Sequence, residues 1–397
     1  MTRILKKCIW LWLFVFAIES QVSAQVESDE QPLLNIENGI SFSKDSLFLM
    51  NLRFRMQNRF GLLTNSGEDL GVESIEARVR RLRLRFDGFV GTPKLAYYIQ
   101  LSFSQSDMNL DNGDVPFPVR DAMVYYIPRK NFYFGFGQGK LPGNRQRVNS
   151  SGNLQMPDRS LANNFLTLDR DFGLFGYYDL KVKQHYLSVK TALSVGDGRG
   201  GISFGNGLAY TLRLEYLPFG KFKNGGAYSE GDLEREVKPK LSIGAVGHYN
   251  QGARFSGGTS GRLLDVPTDM YSAMADVCFK YRGFSVLGEW LYRYAPRTPM
   301  PGENVVPFTG YGWMATAGMM LSKRSELVGR YSTYVPDASA RALYPERAQV
   351  AMGYNYYIRD HRIKAQGFLG YDVRGSFWDM SRQENGWLLM FQVEFGI

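Results

Sequence analysis

LFLMNLRFRMQNRF, residues 47–60, separates by parity: Phe48, Met50, Leu52, Phe54, Met56 and Phe60 share one side of an extended chain, and Asn51, Arg53, Arg55, Gln57 and Arg59 the other. Side chains alternate across a strand, so the stretch is a strand with one greasy and one wet face. A strand of a soluble sandwich alternates too, but its polar face looks outward and is rarely so uniformly basic. Whether the greasy or the wet face is the outer one is decided by how often the pattern recurs.

It recurs along the whole chain. Leu82, Leu84 and Phe86 alternate with Arg81, Arg83, Arg85 and Asp87, and Leu95, Tyr97, Ile99, Leu101 and Phe103 with Lys94, Tyr98, Gln100, Ser102 and Ser104. Further strands are predicted at 122–126, 132–138, 172–179, 186–195, 208–217, 241–250, 270–281, 284–294, 311–321, 326–333, 348–358, 363–372 and 387–397, sixteen in all. The connections alternate as well. Tight turns fall at 91–93, around Pro128, at 282–283 and at 360–361, and long connections at 63–73, 105–118, 140–168, 196–205, 251–266, 295–308, 334–346 and 374–384. One connection on the short side, 218–238, is long without a reason in the sequence. An even number of antiparallel strands of about ten residues, with long extracellular loops and short periplasmic turns, predicts an all-β transmembrane barrel. Tyr292, Tyr294, Tyr356 and Trp387 fall near strand ends, where aromatic girdles meet the membrane interfaces.

The N-terminus fits that destination. Arg3, Lys6 and Lys7 precede an apolar run from Ile9 to Ile18, and Val22-Ser23-Ala24 precedes Gln25, the layout of a secretory signal peptide cleaved after Ala24. The run is about half the roughly 20 apolar residues that a membrane-spanning helix needs. The expected domains are a signal peptide at 1–24, a short periplasmic segment at 25–46 and a barrel at 47–397. Without the leader only Cys278 remains, so no internal disulfide can form, and the formal charge falls from +9 to +7. The expected location is the outer membrane of a Gram-negative bacterium, with its lipid, lipopolysaccharide and barrel assembly machinery as partners.

The wet parity carries about twice as many bases as acids. Its densest row is Arg53, Arg55 and Arg59 beside Arg81, Arg83 and Arg85, where adjacent strands would let several guanidinium groups share one anion. The longest connection carries Lys140, Arg145, Arg147 and Arg159, and a loop of that length can fold inward and narrow the pore. Arg53, Arg55, Arg59, Arg81, Arg83, Arg85, Lys140, Arg145 and Arg147 are the expected anion pathway, whereas Arg213 with Glu215, Arg293 with Glu289 and Arg330 with Glu326 read as structural pairs. Anions are the expected solutes, passing by diffusion. A general pore of low selectivity, or a structural or receptor barrel, is the alternative. A barrel hydrolase is the least supported reading, because His185, His248 and His361 are scattered and form no serine motif or metal-ligand spacing. No catalytic residue, metal or cofactor is expected, and nucleic acid is no partner for bases that alternate into a closed tube.

Several segments, taken in order, resemble the phosphate-selective porin O and P family. They are RRLRLRFDG at Arg80 to Gly88, RDAMVYYIP at Arg120 to Pro128, FGFGQGKLP at Phe134 to Pro142, LDRDFGLFGYY at Leu168 to Tyr178, GEWLYR at Gly288 to Arg293, ELVGRYS at Glu326 to Ser332 and MGYNYYIRDHRIKAQ at Met352 to Gln366. The resemblance implies a sixteen-stranded homotrimeric channel for phosphate or polyphosphate. It also implies that Arg81, Arg83 and Arg85 belong to the family's basic strand motif, with Lys140, Arg145 and Arg147 as the loop's contribution.

Overall fold

A computed structural model of the chain describes residues 34–35, 39–45, 47–108, 117–200, 207–298, 300, 302–374 and 385–397. The expected signal peptide at 1–24 lies outside these residues. Two short strands come first, β1 (Leu34–Asn35) and β2 (Ile40–Lys44). Sixteen longer strands follow among the described residues. They are β3 (Phe48–Thr64), β4 (Val72–Val90), β5 (Leu95–Ser102), β6 (Val119–Arg129), β7 (Phe132–Lys140), β8 (Arg170–Val182), β9 (His185–Ser194), β10 (Ala209–Leu217), β11 (Lys240–Phe255), β12 (Leu263–Tyr281), β13 (Phe284–Tyr294), β14 (Gly310–Met320), β15 (Ser325–Pro336), β16 (Arg347–Arg359), β17 (Ile363–Arg374) and β18 (Gly386–Gly396). Each of β3 to β17 pairs antiparallel with the next, and β18 returns to β3 with Leu388 opposite Leu63 and Gly396 opposite Arg55. The ladder closes, so the strands β3 to β18 present no open edge to lipid. β2 pairs with the start of β3, Ile40 opposite Leu52 and Lys44 opposite Phe48, on the edge that β18 occupies higher up.

β10 shows the two faces of the wall. Leu212 and Leu214 are 45% and 44% exposed on the outside, while Thr211, Arg213 and Glu215 between them are buried in the lumen. At the long-connection end, Tyr210, Tyr249, Tyr271 and Tyr294 stand opposite one another across β10 to β13 as an aromatic girdle. Tyr216 of β10 closes the outer face six residues on, roughly 20 Å at about 3.3 Å per residue, close to the height of an outer-membrane apolar band. At the other end β12 turns into β13 through Arg282 and Gly283, both at positive φ (50° and 90°), as a two-residue type I′ hairpin demands.

β4 is longer than its alternation suggests, because a bulge breaks parity. Gln57 stands opposite Arg81 but Asn58 opposite Val79, so Arg80 is the extra residue and the positions from Val79 back to Val72 change faces.

Two segments fold into the lumen. The connection between β7 and β8 folds inward, as expected of its length. Its helix Leu161–Leu166, capped by Ser160 accepting from the Asn163 N–H, packs against β13 to β16. Leu141, Leu166 and Leu168 join Met123, Phe175, Val246, Met274 and Leu291 of the inner wall in one apolar core. Phe165 stacks on Tyr334 with centroids 4.2 Å apart, and Arg293 donates to the carbonyls of Phe165, Leu166 and Thr167, the groups a helix end leaves open.

The other segment, 218–238, is the long connection on the short-turn side, and its length now has a physical account. It rises into the barrel, where Phe222 and Ala227 pack on Leu217, Cys278, Leu287 and Met314. The two segments meet. Glu230 donates its backbone N–H to Asn153 O at 2.8 Å, and its carboxylate accepts from Gln155 N at 2.9 Å and from Gln146 Nε2 at 3.3 Å. His361 Nε2 lies 2.9 Å from the Glu230 carbonyl.

Candidate anion pathway

The inward loop also covers β17 and β18, where Met156 packs on Phe368 and Met390, and what stays open is a cavity against β3 to β8 and the end of β18. Arg53 stands opposite Arg85 and Arg55 opposite Arg83, which makes a block of four arginines across two adjacent strands. Like charges in such positions repel, and carboxylates hold three of them in place. Arg55 lies 3.5 Å from Glu394, Arg83 3.2 Å from Asp107 and Arg85 2.7 Å from Asp87. Arg53 has no carboxylate among the described residues, and its Nε is buried without a hydrogen-bond partner. The block lines a cavity of about 420 Å³ that also takes in Lys140, Ser150, Ser151 and Asn153 at its inner end and Arg362 and Ile397 at the short-turn end.

At the inner end the inward loop meets the arginine block. Arg55 donates to Ser150 Oγ and Ser151 Oγ, and Arg83 to Ser151 Oγ. Lys140 gives its ammonium to the carbonyls of Val148 and Asn149 at 2.7 and 3.1 Å, and Arg159 donates to those of Gln146 and Asn149. Neither has a carboxylate partner among the described residues. Arg147 and Arg170 share Asp169, Arg170 clasps Asp121 through two bonds of 2.9 Å, and Arg120 reaches Asp107 at 2.5 Å. Arg199 donates to the carbonyl of Asp107.

Arg83, Arg120, Lys140, Arg147, Arg159, Arg170 and Arg199 are thus gathered around Asp107, Asp121 and Asp169, seven basic residues to three acidic ones. Although burial opposes it, the nearby arginines Arg147, Arg170 and Arg120 hold the Asp169 carboxyl well below the usual carboxylate range. Asp169 therefore stays charged and is one of the three acids already counted.

The remaining expected residues are placed elsewhere. Arg59 and Arg81 are buried above the cavity, where Arg59 pairs with Asp158 and donates to Gln392, and Arg81 donates to Gln57. Arg145 is fully buried on the far side. Its guanidinium holds Asp276 at 2.7 Å and Glu215 at 2.8 Å, together with the Ala227 carbonyl of the lower insert. Arg213 shares Asp276 with it at 2.6 Å. Glu289 accepts from Asn144 and Gln146 of the loop and not from Arg293, and Glu326 accepts from Gln155, Asn355 and Tyr357 and not from Arg330. These acids are structural, but the loop is their partner. Arg120, Arg170 and Arg199 join the cluster without having been singled out for the pathway, and Arg159 joins it as one of the loop bases named above.

A closed sixteen-stranded antiparallel barrel with an apolar outer belt, its lumen narrowed by inward segments, is an outer-membrane porin. The chain belongs to the phosphate-selective porin O and P family, which matches residues 50–366. Among solved structures, it is similar to an anion-selective porin from Comamonas acidovorans (11% identity over 88% of this chain and 99% of that one, TM-score 0.53). It is also similar to the outer membrane channel DcaP of Acinetobacter baumannii (15% identity over 90% and 100%, TM-score 0.52). Pseudomonas putida OprB is a further likeness (7% identity over 88% and 94%, TM-score 0.54). At these identities the likeness is one of fold. A search of curated protein sequences finds no match.

Proposed function

We propose that this porin lets anions diffuse across the outer membrane of a Gram-negative bacterium, with phosphate or polyphosphate among them. The observation that carries the reading is the excess of basic over acidic residues around Lys140, where the inward loop crosses the arginine block. Cations there are partly withdrawn from water, are screened less than in bulk and raise the local concentration of anions. Arg53, Arg55, Arg83 and Arg85 form the approach on the short-turn side, and Lys140 with Arg147, Arg120 and Arg170 the narrow part. Arg59, Arg81 and Arg145 hold the loop that shapes it. A channel, not a barrel enzyme, is what the family and fold support.

The test is the reversal potential of the purified protein in a planar bilayer under a KCl gradient, repeated with Arg53→Gln and Lys140→Gln combined. Glutamine can still donate to the loop carbonyls while the charge is lost. The chloride-to-potassium permeability ratio is expected to fall about tenfold, roughly 1.4 kcal/mol shared by two charges. A ratio near one in the unaltered protein would reduce the function to a general pore.

The same proposal includes export by a signal peptide at 1–24, insertion by the barrel assembly machinery among lipid and lipopolysaccharide, and a homotrimer. A mature mass that begins at Gln25 and a trimeric native mass in detergent are the expected results.

A further inference from the structure

The open cavity is not lined by cations alone. Tyr98, Tyr125 and Tyr177 form one part of its wall, with Met123 between them. The Arg85 guanidinium lies over the Tyr98 ring, 4.7 Å from its centroid, so the cationic and aromatic walls meet without a gap. The other two rings are braced from behind. Tyr133 stacks on Tyr177 with centroids 4.5 Å apart and planes at 12°, and Tyr125 stands edge-on to Tyr133 at 6.2 Å and 68°. These tyrosines come from β6, β7 and β8, whose backbones fix one another, so the panel is rigid.

Such a wall suits one kind of anion better than another. A small inorganic ion gains from dense, uncompensated donors and nothing from a ring face. Here Arg55, Arg83 and Arg85 already hold carboxylates, and Asp121 and Glu394 also line the cavity. A volume of about 420 Å³ lies within the usual range for organic ligands, about 300–1,000 Å³. Flat rings gain from aromatic faces and from the planes of guanidinium groups.

We infer that this cavity is a subsite for organic anions whose carboxylate or phosphate is carried on a flat ring. The head group meets the arginine block, led by the uncompensated Arg53, and the ring lies along Tyr125 and Tyr177. The inference rests on the anion reading above and names its solute class.

The test compares two esters with the same head group, phenyl phosphate and methyl phosphate, as blockers of chloride current through the full chain in a planar bilayer. Phenyl phosphate is expected to block at about one tenth of the concentration, the worth of one good aromatic contact. Tyr177→Leu should shrink that preference to less than threefold, and Tyr177→Phe, which keeps the ring, should retain it. Equal block by the two esters in an anion-selective channel would overturn the ring subsite and leave the anion reading standing. A reversal potential near zero with no block by either would overturn both.

Discussion

At the scale of single residues, the lumen separates arginines that line the open cavity from arginines buried in the wall, and partners decide which is which. Arg145 is of the second kind, a guanidinium between Asp276 and Glu215 with no exposure to solvent. Arg145→Met would leave two buried acids with one guanidinium fewer, and removing one member of such a cluster costs about 3–5 kcal/mol. A lower midpoint of thermal unfolding in detergent, with little change in the permeability ratio, is expected; a large loss of selectivity with unchanged stability would return Arg145 to the pathway. Alternation made Arg53, Arg55, Arg83 and Arg85 legible, because parity alone sets a side chain's face. Arg170 stands opposite Lys140, but it shares the parity of the outward Phe172 and Leu174 and lies two residues before the predicted start of its strand, so alternation could not place it in the lumen. Arg120 was hidden by physics: it occupies a bulge, where Gln100 pairs with Asp121 but Leu101 with Val119, and at a bulge parity fails.

At the scale of elements, the insert 218–238 is held by its own packing, by Glu230 and by bonds from Arg282 and Gly283 to Glu236 and Asp232, and no pair of the strand ladder runs through it. Replacing 221–236 by a short glycine-serine turn should leave a heat-modifiable folded barrel with a conductance raised about twofold or more, since an inward segment no longer obstructs the lumen. Failure to fold would show that the insert nucleates the barrel. Burial pushes the Glu230 carboxyl above its ordinary range, because the hydrogen bonds from Gln155 and Gln146 and the charges of Arg330 and Arg159 do not offset it. A raised carboxyl pKa in the docked state means that docking is most stable at low pH and weakens as pH rises through that raised value. Current noise from the moving insert should therefore grow as pH is raised from acid toward neutral, and Glu230→Gln should abolish the trend. The sequence marked this element only by its anomalous length. Its docking depends on contacts far apart in the chain, such as Glu230 to Gln155 and Tyr228 to Glu215, which no local periodicity encodes.

For the whole molecule, the proposed selectivity rests on a charge imbalance on one side of a tube narrowed by its inward segments. Raising KCl from 0.1 M to 1 M shortens the screening length from about 10 Å to about 3 Å. The permeability ratio should fall across that range yet stay above one, because the cluster around Lys140 lies where water is partly excluded; a ratio unaffected by salt would point to size and not charge as the filter. The fold itself was legible almost entire, because period-two alternation and the rhythm of long and short connections report a closed barrel without any knowledge of its interior. The interior was not, because the wall that the inward segments cover carries the same polar parity as the open one.

The seam of the barrel has a further consequence. β18 ends with Gly396 opposite Arg55, and the next stretch of the same edge is already taken by β2, whose Ile40 stands opposite Leu52. A closing strand that slipped by two residues would keep every side chain on its proper face, so alternation offers no protection against that error. The slip would instead drive Ile397 into the place of Ile40. The short N-terminal strand is thus an end stop for the last strand, a ruler laid down at the start of the chain against which its finish is measured.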